Sequence, residues 1–321
     1  MSLLPLTGPR WVVVRQHHRA LWTALTLVAA AVVVWAGLRR WALTATGFPA
    51  CVRGDYESCS LAGTTTTPWE VTRLAMEYAS GALVAVPFIA GAFVAGPMIA
   101  RELESGTYKV AWTQSVTPAR WLASKLAVAA VMTATGSALL VLGYRYGWSP
   151  FRDTFNLGWS ERGVYEAIGP VLVAYALLAV AVAAVAGQLV RRTVPAMAVT
   201  AAVTGAVLLV LGQLRWRLWP EETLIQPGAK AWGDMGPLPR DAHLLDSGFL
   251  TASGGRLPYD VCRLRTGTES CPADLHVTAS YTDYHPASHF WPLQLIETGI
   301  VLALATAATY AAFRLLRRDH A

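Results

Sequence analysis

Long apolar runs separated by short polar breaks organise this chain, and the runs are too long for the core helices of a soluble domain. Six windows are almost free of Asp, Glu, Lys and Arg: residues 20–38, 80–100, 126–144, 167–190, 193–214 and 290–313. A helix needs about 20 apolar residues to cross the hydrocarbon of a bilayer, so each window predicts one membrane-spanning helix. Only the last holds an ionisable group, Glu297, about two turns from its start and close to Gln294.

The breaks are of two kinds. Those at 101–125 and 191–192 are short or compact and rich in basic residues. Those at 39–79, 145–166 and 215–289 are longer and carry the cysteines. The basic residues Arg10, Arg15, Arg19, Arg101, Lys109, Arg120, Lys125, Arg191, Arg192, Arg314, Arg317 and Arg318 all fall on one side of the alternation. Only Glu102, Glu104 and Asp319 oppose them there. The positive-inside rule makes that side cytoplasmic, with both termini inside. Arg39 and Arg40, just after the first span, run against the rule and are read as snorkelling to the far headgroups. The first window is a span and not a cleavable signal, because it exceeds the roughly 7–15 residues of a signal core and lacks a small-residue cleavage site.

Composition agrees with a lipid solvent. The chain of 321 residues is 54% hydrophobic and 14% charged, against roughly 25% charged in soluble domains. Its net charge of +6 is accounted for by inner loops facing anionic lipid and requires no nucleic acid.

The expected architecture is therefore an all-α polytopic membrane protein of six spans. Residues 1–19 form an amphipathic interfacial segment or a basic flank, 101–125 a cytoplasmic helical region, and 314–321 a cytoplasmic tail. The outer loop 215–289 is rich in Pro and Gly and reads as an irregular, disulfide-tied cap. Cys51, Cys59, Cys262 and Cys271 all lie on the side where disulfides persist. Two local bridges are expected, Cys51–Cys59 and Cys262–Cys271; the alternative is four free thiols.

Chemistry is mostly excluded. No GxxxxGK[ST] phosphate loop occurs, so this chain binds no nucleotide in the usual way and is not expected to be an ATPase or to hold a cofactor. No ionisable group lies near the middle of any window, which argues against an ion-coupled carrier. Asp283, His285 and His289 are close in sequence, but Pro286 breaks the helical register between the imidazoles and no metal site is expected. An enzyme acting through the outer loops would have to use Asp260, Asp283, His285 and His289, which show no recognisable arrangement. Glu297 and Gln294 are candidates for a translocation path, or for bonds within the bundle. The second span carries Gly81, Pro87, Gly91, Gly96 and Pro97, which suit a bent helix at a moving interface as well as ordinary close packing.

The stretch RELESGTYKVAWTQSVTPARWLASK (101–125) is the one inner loop that is both charged and helix-like. Arg101–Glu104 continues the second span, Gly106 ends it, 108–115 forms a short helix, and Thr117-Pro118 opens the next. Tyr108, Ala111, Trp112 and Ser115 share one face of the short helix. The loop is thus a helical elbow.

RELESGT followed by TQSVTPARWLASKL resembles the R-E-R-E-S-G-T…T-P-x-S-R-x…K signature of type 2 ABC exporter permeases, the membrane subunits of bacterial drug and antibiotic exporters. Leu103 stands in place of the second arginine. RQHHRALW, GQLVRRTVPAMAVT and YHPASHFWPLQLIE extend the similarity over most of the chain. The resemblance implies that Arg101, Glu102, Glu104, Gly106, Thr107, Tyr108 and Trp112 belong to a coupling helix docked on a separate ABC ATPase, which would hold ATP and Mg. It also implies two permeases, identical or not, with two ATPases, in the plasma membrane of a bacterium. A non-transporting sensor or immunity subunit would use the same elbow.

Overall fold

The computed structural model describes residues 9–44, 67–108, 117–154, 156–228, 238–239, 241–266 and 271–318. Among these, six helical stretches are long and apolar enough to cross a membrane: Leu21–Thr44, Pro68–Ser105, Pro118–Phe151, Val171–Val190, Thr193–Arg217 and Ala287–Arg318. The chain divides into a helical unit, 1–212 with 294–321, and a smaller unit, 213–293.

In the helical unit, helix α1 (Pro9–Thr44) is continuous, so the basic flank and the first span are one element. Helix propagation is cheap once begun, and nothing between Arg10 and Arg40 breaks it. Helix α2 (Pro68–Leu83) is capped by the Thr67 hydroxyl, which accepts from the Glu70 amide, with Pro68 at its first position. It occupies residues expected as loop, since its acids Glu70 and Glu77 are both paired to Arg73, at 2.7 and 3.0 Å.

The second span is not a plain helix. After a three-residue turn at Val86–Phe88 it widens into a π-helical segment, Ile89–Ala95, before α3 (Gly96–Ser105). Pro87 and Pro97 flank the segment and lack the N–H that regular pairing needs. Gly91 has no room for a side chain: a Cβ there would stand 2.7 Å from Ala179 Cβ and 2.9 Å from Thr200 Cγ2.

Helix α4 (Pro118–Trp148) is capped by Thr117 in the same Thr-Pro manner. It packs on α1 closely enough that a Cβ at Gly143 would meet Val32 at 2.6 Å. Arg39 finds partners within the bundle: it donates to the Tyr146 carbonyl and the Ser149 hydroxyl, with its guanidinium 4.4 Å from the Tyr146 ring centroid. A cation at the C-terminal end of α4 satisfies an orphan carbonyl and opposes the helix dipole.

Between α4 and helix α6 (Val171–Val190), the break expected as an exposed loop is largely packed inward. Leu157, Trp159, Val164, Tyr165, Ala167 and Ile168 are buried around the four-residue helix α5 (Val164–Ala167). Irregular backbone within a membrane bundle must be buried in protein and bonded there. Accordingly the Leu157 carbonyl accepts from Trp148 Nε1 at 2.7 Å and the Ile168 carbonyl from Arg145 at 3.1 Å. Helix α6 is the most enclosed span, and α7 (Thr193–Leu214) follows it across a tight Arg191-Arg192 turn.

The smaller unit corrects the expectation of an irregular cap. It holds a four-stranded antiparallel sheet of β1 (Glu222–Pro227), β2 (His243–Thr251), β3 (Arg256–Pro258) and β4 (Val277–His285), in the order β1-β4-β2-β3. Strand β4, VTASYTDYH, is rich in the β-branched and aromatic residues that pack well on a pleated surface, and it takes the centre. Helix α8 (Val261–Thr266) is tied by the bond between Cys262 and Cys271, beside Phe249 and Val277. Cys51 and Cys59 lie outside the described residues. The last helix, α9 (Phe290–Arg318), returns to the helical unit.

Candidate functional site

At the elbow, α3 ends where Gly106 turns left-handed at φ 73°, a conformation that glycine adopts without strain. Arg101, Glu104, Ser105 and Thr107 are exposed, and the Ser105 and Thr107 hydroxyls are 2.9 Å apart. The stretch after Tyr108, with Trp112 and the expected short helix, lies outside the described residues.

Glu102 faces inward. One oxygen accepts from Lys125 Nζ at 2.7 Å and the other from Trp121 Nε1 at 3.0 Å, both from the first turns of α4. The Lys125 side chain is 3% exposed and that of Glu102 25%, so the charges are largely removed from water and depend on each other. Lys125 Nζ also lies 5.4 Å from the Trp121 ring centroid.

Glu104 reaches the other way. Its Oε2 accepts from both the amide and the hydroxyl of Thr193, at 2.9 and 2.6 Å. An acid at a helix N-terminus satisfies an orphan donor and opposes the dipole, so one helix caps another here. A cleft of about 560 Å³ lies alongside, lined by Pro97, Arg101, Glu104, Ser105 and Thr193.

The two carboxylates thus fix the end of α3 to the starts of α4 and α7. Beneath them, Met98, Ile99, Trp121, Leu122, Ala183, Ala184, Ala312 and Leu316 form a buried cluster from α3, α4, α6 and α9, with Leu103 and Tyr108 packed against it. Tyr108 therefore rests on the bundle. The arginines Arg101 and Arg120 stand exposed at the same end.

Gln294 and Glu297 of α9 are both fully buried. Gln294 donates to the Tyr165 carbonyl at 2.7 Å and accepts from the Val171 amide at 3.2 Å. Glu297 accepts from the Tyr175 hydroxyl at 2.7 Å. Gly169 makes this possible, since a Cβ there would fall 2.2 Å from the Gln294 carboxamide. Gln294 braces the packed segment around α5 against the last span, and Glu297 ties that span to Tyr175 of α6.

In the smaller unit the acids and histidines do not converge on an open cleft. Asp283 is buried, held by Thr223 and Arg256 at 2.5 Å each. Asp260 is exposed. His285 and His289 do meet, against the expectation from Pro286, with their Nδ1 atoms 2.9 Å apart. Strand β4 ends at His285 and the 3-10 turn Ala287–His289 brings the second ring back. His285 Nε2 is 3.0 Å from the Trp216 carbonyl. No group of three His, Cys, Asp or Glu suited to a metal exists among the described residues.

The Lys125 and Trp121 partners of Glu102, and the Thr193 partner of Glu104, were not visible in the sequence. They lie 19 to 89 residues away, and no periodicity links them. The only hint is that Lys125 falls where α4 should already be entering apolar surroundings.

Among the described residues, six helices are long and apolar enough to cross a membrane. A family model described as "ABC-2 membrane transporter related" matches residues 23–215, and the chain belongs to that family: it is a permease-type membrane protein. No curated protein and no solved structure matches it.

Proposed function

We propose that this chain is the membrane subunit of an ATP-driven exporter, moved by a separate ATPase that grips the elbow. One observation supports this above all: Glu102 and Glu104 tie the elbow to three spans at once. A force applied at residues 101–120 then reaches α3, α4 and α7 together, which is what a lever between an engine and a pathway requires. The family's association with ABC ATPases supports the same reading.

Since Glu102 is engaged within the chain, the charges offered to the ATPase are those of Arg101, Arg120 and the exposed Glu104, together with whatever residues 109–116 present. Trp112 remains the proposed apolar anchor. The working unit is proposed to pair two permeases with two ATPases that carry ATP and Mg, in a bacterial plasma membrane with both termini inside. The cargo is lipophilic, because the spans offer little fixed charge; Gln294 and Glu297 act on it only indirectly, Gln294 through the packed segment it holds and Glu297 through Tyr175 of α6.

The test is co-expression with the candidate ATPase. Arg101→Glu with Arg120→Glu is expected to release the ATPase from the purified complex while the permease still inserts. Glu102→Gln with Glu104→Gln is expected to keep the ATPase bound yet abolish cargo-stimulated ATP hydrolysis. Unchanged stimulation in the second double variant would contradict the lever.

A further inference from the structure

A groove of about 670 Å³ runs along α9 between α4 and α6, within the helical unit. Its walls include Ala130, Leu177, Leu302 and Tyr310, and it ends at Arg314 and Arg317. From Leu302 to Arg317 is fifteen residues of helix, about 22 Å at 1.5 Å per residue. That is roughly the distance from beyond the bilayer midplane to the headgroups. The walls offer almost no hydrogen bonding: the hydroxyls of Thr306 and Thr309 are engaged with the Leu302 and Ala305 carbonyls at 2.8 Å each. Leu302 is 40% and Tyr310 64% exposed.

At the mouth, Arg314 and Arg317 are exposed and no carboxylate pairs with either among the described residues. Arg314 only approaches the Tyr310 ring, at 5.9 Å. An apolar groove with two exposed cations among its lining residues is complementary to an anionic amphiphile.

We infer that this groove holds an anionic phospholipid, one acyl chain along α9 and its phosphate between Arg314 and Arg317. A second copy of the chain fits less well. Counting spans, the side of Arg314 and Arg317 is the side of the elbow, whose described carboxylates are Glu102 and Glu104. Glu102 is committed to Lys125, and the exposed Glu104 already accepts two hydrogen bonds from Thr193, so a copy does not bring two free described acids to neutralise both arginines. Anionic lipid does, at an attraction that corresponds to roughly fivefold in affinity for each arginine near the membrane surface. The site is independent of the cargo and of the ATPase.

The experiment is native mass spectrometry of the full chain purified in detergent with equal phosphatidylglycerol and phosphatidylcholine of matched acyl chains. The wild type is expected to retain phosphatidylglycerol preferentially, by roughly 30-fold for the two arginines together. Arg314→Gln with Arg317→Gln should erase the preference while some lipid of both kinds remains. Ala130→Trp, which fills the groove and keeps the arginines, should reduce retention of both. Equal retention of the two lipids by the wild type overturns the inference without recourse to any variant. So does a double glutamine variant that still prefers phosphatidylglycerol, or a lipid-free dimer that Ala130→Trp dissociates.

Discussion

Among single residues, the Lys125–Glu102 pair has the clearest energetic signature. Breaking a buried ion pair by removing one partner costs about 3–5 kcal/mol, whereas replacing both by apolar groups is often close to neutral. With a quarter of the Glu102 side chain exposed, solvent screening lowers that figure, and about 2–3 kcal/mol is expected for Lys125→Met alone. Lys125→Met with Glu102→Leu should recover most of the loss. Melting temperatures of the purified permease in a double-mutant cycle check this; additive effects would mean that the two groups do not interact. The end of α3 at Gly106 and the Thr-Pro start of α4 were readable from RELESGT and TPARW, because caps and glycine turns are local. The elbow's internal bonding was not, because Glu104 and Thr193 come together only through the packing of spans that are separate in sequence.

At the scale of elements, the cores of the spans were legible and their ends were not. A window without charges marks where lipid forbids polar groups, but a helix continues into water for as long as propensity and caps allow, as α1 does to Pro9 and Thr44. Likewise α2 was concealed by its own charges, which Arg73 neutralises. The sheet was missed for a different reason. Strand β2 is interrupted by a shift between Leu244 and Asp246 and another at Leu250, so its alternation is broken, and the Pro and Gly residues around it suggested an irregular loop. Only β4 carried an overt strand composition.

The sheet also makes the smaller unit sensitive to acid. Burial, and then the neighbouring charge of His285, hold the His243 imidazole down to about 4 from its ordinary 6.5, while its ring stacks on Trp216 at 3.9 Å. The unfolded chain therefore binds the proton first, so the stability His243 contributes is complete above about pH 6.5 and is lost as pH falls towards about 4. Tryptophan fluorescence melts of the whole protein should show a transition that moves down over this interval, and His243→Phe should flatten the dependence. A melt that is level from pH 7 to pH 4 would contradict the assignment.

Taken whole, the protein comprises two units of different construction, one helical and one built on a sheet. The family match covers residues 23–215, almost all of it in the helical unit, and the sheet unit of Gln213–Leu293 lies beyond it. In the membrane portion the features that favour motion and those that favour rigidity lie close together. The π-helical segment between Pro87 and Pro97 departs from the regular helix of the second span, and π-turns are frequent at functional sites. Directly after it, α3 is locked to α4 and α7 by Glu102 and Glu104. A helix locked at its end directly after a π-helical segment suits the external drive proposed for this chain.

That account is tested most directly by reconstituting the purified chain in lipid vesicles, with and without its partner ATPase, and following a lipophilic fluorescent cargo. Transport is expected only with the ATPase and ATP together, and to be lost in the Glu102→Gln, Glu104→Gln variant. Cargo movement by the permease alone, or full ATP-driven transport by that variant, would contradict it.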